Sequence, residues 1–201
     1  LSDVSQDSPS DLNTSKCSSS FYTLKYKIEC VGISQAFKTF VCGTRDDCVL
    51  FCQLDLSEMK INRVVHVNGR PKKIVITENM GLVVILLTKL VNYSYKQELA
   101  FYNINSVFVR SLEYDDKIIC EMTCTSSMPS CFDYLITSDD LNRIFVLEAF
   151  SSKFEELEFK LNCNSKIIQL KYIREESLII AICNDGSVNV IFYYIDESKD
   201  Q

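Results

Sequence analysis

Ten cysteines, one histidine and three pairs of adjacent aspartates are the side chains of this 201-residue chain best suited to chemistry. Cys48 and Cys52 stand four positions apart, as do Cys120 and Cys124. On a strand, that spacing puts both thiols on one face but about 13 Å apart, at about 3.3 Å of rise per residue. Two thiolates that far apart do not share one zinc, and no Cys-x-x-Cys knuckle occurs. The expectation is small buried thiols in a core. His66 alternates with valines in Arg63-Val64-Val65-His66-Val67. A nucleophilic cysteine would need this imidazole within hydrogen-bond reach of an activated thiol. The alternation instead predicts a partly exposed histidine on an outer strand, and the absence of a second histidine excludes a histidine-based metal site. Asp46-Asp47, Asp115-Asp116 and Asp139-Asp140 each fall between apolar runs, where Asp serves turns. Glycoside hydrolysis requires two carboxylates converging on one pocket, which acids in separate turns do not supply. Only Asn184-Asp185-Gly186 approaches a calcium loop, and five glycines form no phosphate cradle. The expectations are no catalytic residues, no metal, no cofactor and no small-molecule substrate.

Composition points the same way. A net charge of −6 gives no field to hold phosphates, so nucleic acid is not an expected partner. Twelve Phe and ten Tyr, with few Gly and Pro, suit pleated, half-buried surfaces. The cysteines are scattered through runs such as Phe40-Val41-Cys42 and Ile118-Ile119-Cys120, a pattern of free thiols in a reducing, cytoplasmic compartment. The run from Leu82 to Leu87 is only six apolar residues, too short to span a bilayer. No basic-then-apolar signal opens the chain. Any membrane association is therefore expected through upstream domains or partners. A first residue of Leu rather than Met suggests a piece of a longer protein.

The elements that would position these residues are short strands. Ile182-Cys183-Asn184-Asp185-Gly186-Ser187-Val188-Asn189-Val190-Ile191 is a hairpin signal, with Asp-Gly between two β-branched runs. Worn copies of the same unit lie upstream. Residues 1–20 are rich in Ser and Asp and predict a disordered linker. Phe21-Tyr22-Thr23-Leu24-Lys25-Tyr26-Lys27 then predicts an amphipathic strand. A first unit holds strands at 28–34, 39–43, 48–54 and 60–67. A second holds 72–77, 82–87, 98–104 and 107–113, its hairpin loop swollen by an insertion at 88–97. A third holds 117–123, 132–137, 143–148 and 154–161. A fourth has three, 166–173, 178–182 and 188–195. First strands recur at a period of roughly 45 residues, within the window for four-stranded propeller blades. A β-sandwich also spaces strands every 8–12 residues or so, but the repeated order of turn, buried strand, Asp-rich turn and alternating strand favours blades. The expected fold is all-β: 1–20 linker, then 21–201 as a WD-like β-propeller segment of about four blades of four antiparallel strands. The lone strand at 21–27 either closes this ring or belongs to a blade upstream. Four blades are the lower limit of the architecture, which favours a partial, larger ring.

Several segments resemble a known family. Val75-Ile76-Thr77-Glu78-Asn79-Met80-Gly81-Leu82-Val83-Val84 is similar to the Ile-x-Thr-x-x-x-Gly-Phe/Leu-Ile/Val-Val blade segment of BEACH-domain (beige-type) proteins. Leu99-Ala100-Phe101-Tyr102-Asn103-Ile104-Asn105-Ser106 resembles their strand ending in Ile-Asn-Gly, with Ser106 in place of Gly. Ile33-Ser34-Gln35-Ala36-Phe37 is similar to Ile-Ser-x-x-Phe of the preceding blade, and Asn184-Asp185-Gly186-Ser187-Val188-Asn189-Val190 to a WD-type blade ending. The likeness covers residues 28–195 and is greatest to divergent protist members. No unit has the Gly-His or Trp-Asp pair of standard WD repeats. The resemblance implies a cytoplasmic scaffold in vesicle traffic, possessing a BEACH domain upstream and using its propeller to bind proteins; it supplies no catalytic residue. The same physics suits a propeller of a coat or adaptor complex. A propeller hydrolase would instead need polar residues at the ring's mouth, where the first-strand positions Ile28, Ile74, Ile118 and Ile167 offer none.

One stretch stands apart as a partner-binding candidate. Leu90, Val91, Tyr93 and Tyr95, flanked by Lys89 and Lys96, make an amphipathic loop tip. Tyrosine combines apolar area with a hydroxyl, the combination favoured at the centre of protein interfaces.

Overall fold

The computed structural model describes residues 25–54, 59–114, 117–125, 133–149, 156–161, 165–173 and 176–192. They form fifteen strands with no helix among the described residues. Blade 1 comprises β1 (Ile28–Ser34), β2 (Thr39–Thr44), β3 (Cys48–Leu54) and β4 (Met59–His66). Blade 2 comprises β5 (Arg70–Ile76), β6 (Leu82–Val91), β7 (Ser94–Asn103) and β8 (Phe108–Tyr114). Blade 3 comprises β9 (Ile119–Cys124), β10 (Tyr134–Asp139), β11 (Arg143–Glu148) and β12 (Glu156–Lys160). Blade 4 has three described strands, β13 (Ile167–Ile173), β14 (Leu178–Cys183) and β15 (Val188–Phe192). Every sheet is an antiparallel meander in chain order. This is the expected all-β, four-bladed propeller arrangement; the face-to-face sandwich alternative is set aside.

The reason for blades lies in the second strands. Leu82 to Leu87 is apolar at every position, so it cannot sit on a sheet with one wet face. Its alternate side chains enter two different cores. Val83, Ile85 and Leu87 join Val41, Val49 and Phe51 of blade 1. Leu82, Val84 and Leu86 join Leu135 and Leu147 of blade 3, with Phe101. A third core packs Ile136, Ile144 and Val146 of blade 3 on Ile167, Ile179 and Ala181 of blade 4. Each fully buried Leu, Ile or Phe stabilises its interface by about 1.5–3 kcal/mol. Gly32 permits a close approach of blades 1 and 2: a Cβ there would stand 2.6 Å from Ile74 Cγ2.

The first strands carry a shared irregularity. The ladder skips one residue between Ile28 and Cys30, Pro71 and Lys73, Ile119 and Glu121, and Ile167 and Gln169. Each blade thus has a bulge whose extra residue is Glu29, Lys72, Cys120 or Ile168. A bulge reverses which face later residues occupy. In blades 1, 3 and 4 a turn amide locks the strand start: Arg45 N donates to Lys27 O, Asp140 N to Ile118 O and Asn184 N to Lys166 O, at 2.9–3.0 Å. The register corrects the expectation of four equivalent apolar positions at the mouth: Ile28 and Ile167 immediately precede their bulges, Ile118 lies one residue before β9, and Ile74 lies beyond the bulge of β5. Ile74 and Ile167 are buried between blades, whereas Ile28 and Ile118 are exposed, and in blades 1 and 2 the bulge residues, Glu29 and Lys72, are charged.

Two other expectations change. Residues 88–97 are not a swollen loop: β6 and β7 stay paired in register from Leu82 and Asn103 out to Val91 and Ser94. Asn92 and Tyr93 alone make the turn, both at positive φ (50° and 64°), the geometry of a two-residue primed hairpin. Nothing in residues 88–97 breaks a strand, so elongation costs less than a loop. Of the strand expected at 21–27, residues 25–27 are not in strand and 21–24 lie outside the described residues. The linker at 1–20 and Asp115-Asp116 also lie outside them.

Candidate interaction surface

The elongated hairpin of β6 and β7 rises from the end of the propeller at which the first strands begin. Leu90 pairs directly with Tyr95, and Val91 with Ser94. Tyr93 is fully exposed at the apex, and Leu90 and Tyr95 are 65% and 76% exposed. A mainly apolar tip standing in water is costly, which makes it the candidate contact surface. Below it lies a cleft of about 860 Å³. Leu90, Val91 and Tyr95 line it together with Asp47, Arg70 and Lys72; Tyr93 stands clear of it. The sequence-predicted quartet therefore divides into three wall residues and one apex residue. Gly69 (φ +139°) lets the chain pass beneath: a Cβ there would meet Lys89 Cγ at 2.8 Å and Thr88 O at 3.1 Å.

Charge fixes the hairpin's base. Lys89 pairs with Glu98 across the ladder and lies 3.6 Å from Glu113 on β8. Burial works against the Lys89 charge, but the hydrogen bond and field of Glu98, with Glu113, outweigh it and raise its pKa. At the junction of blades 1 and 2, Glu29 accepts from Arg70 and from Arg45 Nε at 2.9 Å. The hydrogen bonds from Arg70 and then Arg45 hold the Glu29 carboxyl down to about 2. Between blades 2 and 3, Lys73 Nζ donates to Glu121 Oε1 at 2.6 Å.

At the first-strand ends, the carboxylates Glu29 and Glu121 are both ion-paired. His66 sits on β4, the outermost strand of blade 1. It is exposed, and it also has the thiol within reach that the sequence reading did not expect: Nδ1 lies 3.2 Å from Cys48 Sγ, because residues 48 and 66 face each other in the β3–β4 ladder. Cys48 is buried and its thiol also reaches Asp46 O at 3.2 Å. Of the other described thiols, Cys42, Cys52 and Cys183 are buried and Cys30, Cys120 and Cys124 half-buried. Burial pushes Cys124 up to about 12 and Cys30 to about 11. Such thiols are protonated and poor nucleophiles near neutrality.

The acidic pairs behave differently from one another. Asp46 and Asp47 lie in the β2–β3 connection, where Thr44 Oγ1 accepts from Asp46 N and Cys48 N at 3.3 and 3.2 Å. Asp139, expected in a turn, ends β10 and is wholly buried. Its Oδ1 accepts from the amides of Leu141 and Arg143, and Oδ2 pairs with the Arg143 side chain at 2.6 Å. Asp185 accepts from Ser187 N at 2.9 Å, capping the expected Asn-Asp-Gly-Ser turn.

Sequence reasoning missed the lysines at the mouth. Lys72 and Lys73 lie within the first half of β5 and Lys166 just before β13, and their type was visible, but only a bulge brings Lys72 beside Lys73 onto one rim. No protein-family model matches the chain, and comparison with curated proteins found no match.

Proposed function

We propose that this propeller is a non-enzymatic protein-interaction scaffold whose contact element is the β6–β7 hairpin. The observation that carries the reading is the exposed apolar tip, Leu90, Tyr93 and Tyr95, held rigidly by strand pairing and by the Lys89–Glu98 ion pair. Aromatic residues projected on a stiff support lose little freedom on binding, which favours affinity. The finer reading is the C-terminal propeller region of a BEACH-type protein of vesicle traffic, located in the cytoplasm and on organelle membranes through other domains. It is supported by the resemblance of residues 75–84, 99–106 and 184–190, which fall on a turn and strand of blade 2, on β7 and its turn, and on the final hairpin of blade 4.

The test is affinity purification from cells expressing the full protein, wild type against Tyr93→Ser/Tyr95→Ser, read by quantitative mass spectrometry. Both tyrosines are exposed, so the variant keeps its fold. Loss of a defined set of partners supports the scaffold reading; an unchanged set removes the hairpin from it. Trafficking components among the lost partners would favour the BEACH-type assignment over other propeller scaffolds.

A further inference from the structure

The cleft beneath the hairpin is one end of a longer trough. A second cavity of about 550 Å³ shares Thr88 and Gln97 with it. A third of about 300 Å³ shares Lys73 and Glu121 with the second. Lys72 lines all three. The trough therefore runs from Tyr95 at the hairpin to Ile168 at the bulge of blade 4, with Lys72 at its junction.

Its charges are unequally satisfied. Glu29 is taken by Arg45 and Arg70, Glu121 by Lys73, and Glu98 and Glu113 by Lys89. Among the described residues, the ion pair of Lys72 is a distant contact, 3.9 Å, to the already engaged Glu29. Lys166 makes no ion pair with a carboxylate among the described residues and reaches the Cys120 thiol instead. Beside these two lysines in the second cavity lie Ile118 and Ile168, 55% and 48% exposed. Cationic heads thus stand beside exposed apolar side chains along the trough.

We propose that this trough binds an extended peptide segment in which acidic and aliphatic side chains alternate. Carboxylates would engage Lys72 and Lys166, and the aliphatic side chains Ile118, Ile168 and, at the outer end, Leu90 and Tyr95. A polyanion such as nucleic acid is disfavoured because the chain carries a net charge of −6, whereas a short peptide feels mainly the local lysines within a Debye length of about 8–10 Å. The proposal rests on the scaffold reading and names a partner class for it.

The experiment is fluorescence anisotropy with the full chain and a labelled eight-residue peptide of alternating Asp and Leu. Controls are the Lys/Leu and Asp/Ser peptides and a labelled oligothymidylate. The expected result is saturable binding of the Asp/Leu peptide only, weakened by added salt. Lys72→Glu/Lys166→Glu should weaken it roughly tenfold or more, and Lys72→Ala/Lys166→Ala less steeply. Circular dichroism confirms that each variant is folded; if the glutamate variant is not, the alanine pair decides. No saturable binding, equal binding of the Asp/Ser peptide or the oligonucleotide, or indifference to both lysine pairs would overturn the proposal. The scaffold reading fails separately. If Tyr93→Ser/Tyr95→Ser loses cellular partners while the peptide does not bind, the scaffold stands and the trough falls. If the peptide binds and partner recovery is unchanged, the trough stands without the hairpin.

Discussion

Arg70 Nε donates to Glu29 Oε2 at 2.6 Å, from the first strand of blade 2 to the bulge of blade 1. The pair joins two sheets whose apolar cores already meet behind it, so its protonation state reports on the blade interface. The Glu29 carboxyl is lowered from 4.5 to about 2 by the Arg70 hydrogen bond first and the Arg45 hydrogen bond second. A carboxylate depressed in the folded state contributes stability that is fully present above its unfolded pKa and lost as pH falls through the folded one. The window is therefore pH 4.5 down to about 2. Urea melts at pH 7, 4 and 3 should show Glu29→Gln less stable than wild type at pH 7, with the gap narrowing as pH falls. A gap that stays constant over that range would sink the assignment.

Gly32 is expected to resist every larger side chain. In most strand interiors Gly→Ala is stabilising, because it restricts the unfolded chain. Here the added Cβ meets Ile74 Cγ2 at 2.6 Å and Ile74 O at 3.1 Å, and the backbone oxygen cannot rotate away. Gly32→Val should cost about 1–3 kcal/mol, the usual penalty of overpacking. Denaturant titration should show a lower midpoint at an unchanged m-value. A midpoint at or above that of wild type would mean that blades 1 and 2 separate easily.

Ser106 makes the opposite prediction. It holds φ 64° in the β7–β8 turn and is buried. The left-handed conformation is strained for a residue with a Cβ and free for glycine. Ser106→Gly should raise stability by up to about 1 kcal/mol, less the entropy that glycine gains in the unfolded chain. A shift of a few degrees upward in the thermal midpoint is the expected reading; a downward shift would show that the hydroxyl outweighs the strain.

Blade-level organisation was legible in the sequence because it depends on period and alternation. The apolar run at 82–87, the Asp-Gly turn at 185–186 and the spacing of first strands specify sheets that must be covered on both faces. What stayed hidden depends on single-residue register. Ile118 and Ile167 read alike, but the pairing makes Ile119, not Ile118, the counterpart of Ile167, so Ile118 is exposed and Ile167 buried. The reach of the β6–β7 hairpin was underestimated because Asn92-Tyr93 lacks the glycine that usually announces a tight turn; the chain accepts positive φ at both positions instead. The meeting of Cys48 and His66 required knowing that β3 and β4 pair these residues. At the candidate surface the hydrophobic members were readable from type alone, whereas the lysine trough needed the blades set side by side.

Asp139 supplies the sharpest stability test, since its sequence context suggests only a turn. Its carboxylate is wholly buried, accepts from two backbone amides and pairs with the Arg143 side chain. Asp139→Ala removes every acceptor at once, leaving the amides of Leu141 and Arg143 unsatisfied and the arginine without its buried partner. Breaking a buried pair from one side costs about 3–5 kcal/mol. Asp139→Asn keeps an oxygen for the two amides and loses only the charge, so its penalty should be about 1–3 kcal/mol, in the range of a lost charge-assisted hydrogen bond. The order Ala worse than Asn, with both worse than Asp140→Ala in the exposed turn beside it, can be read from three denaturation curves. Equal midpoints for Asp139→Ala and Asp140→Ala would mean that the blade 3 hairpin is held by its strand ladder alone.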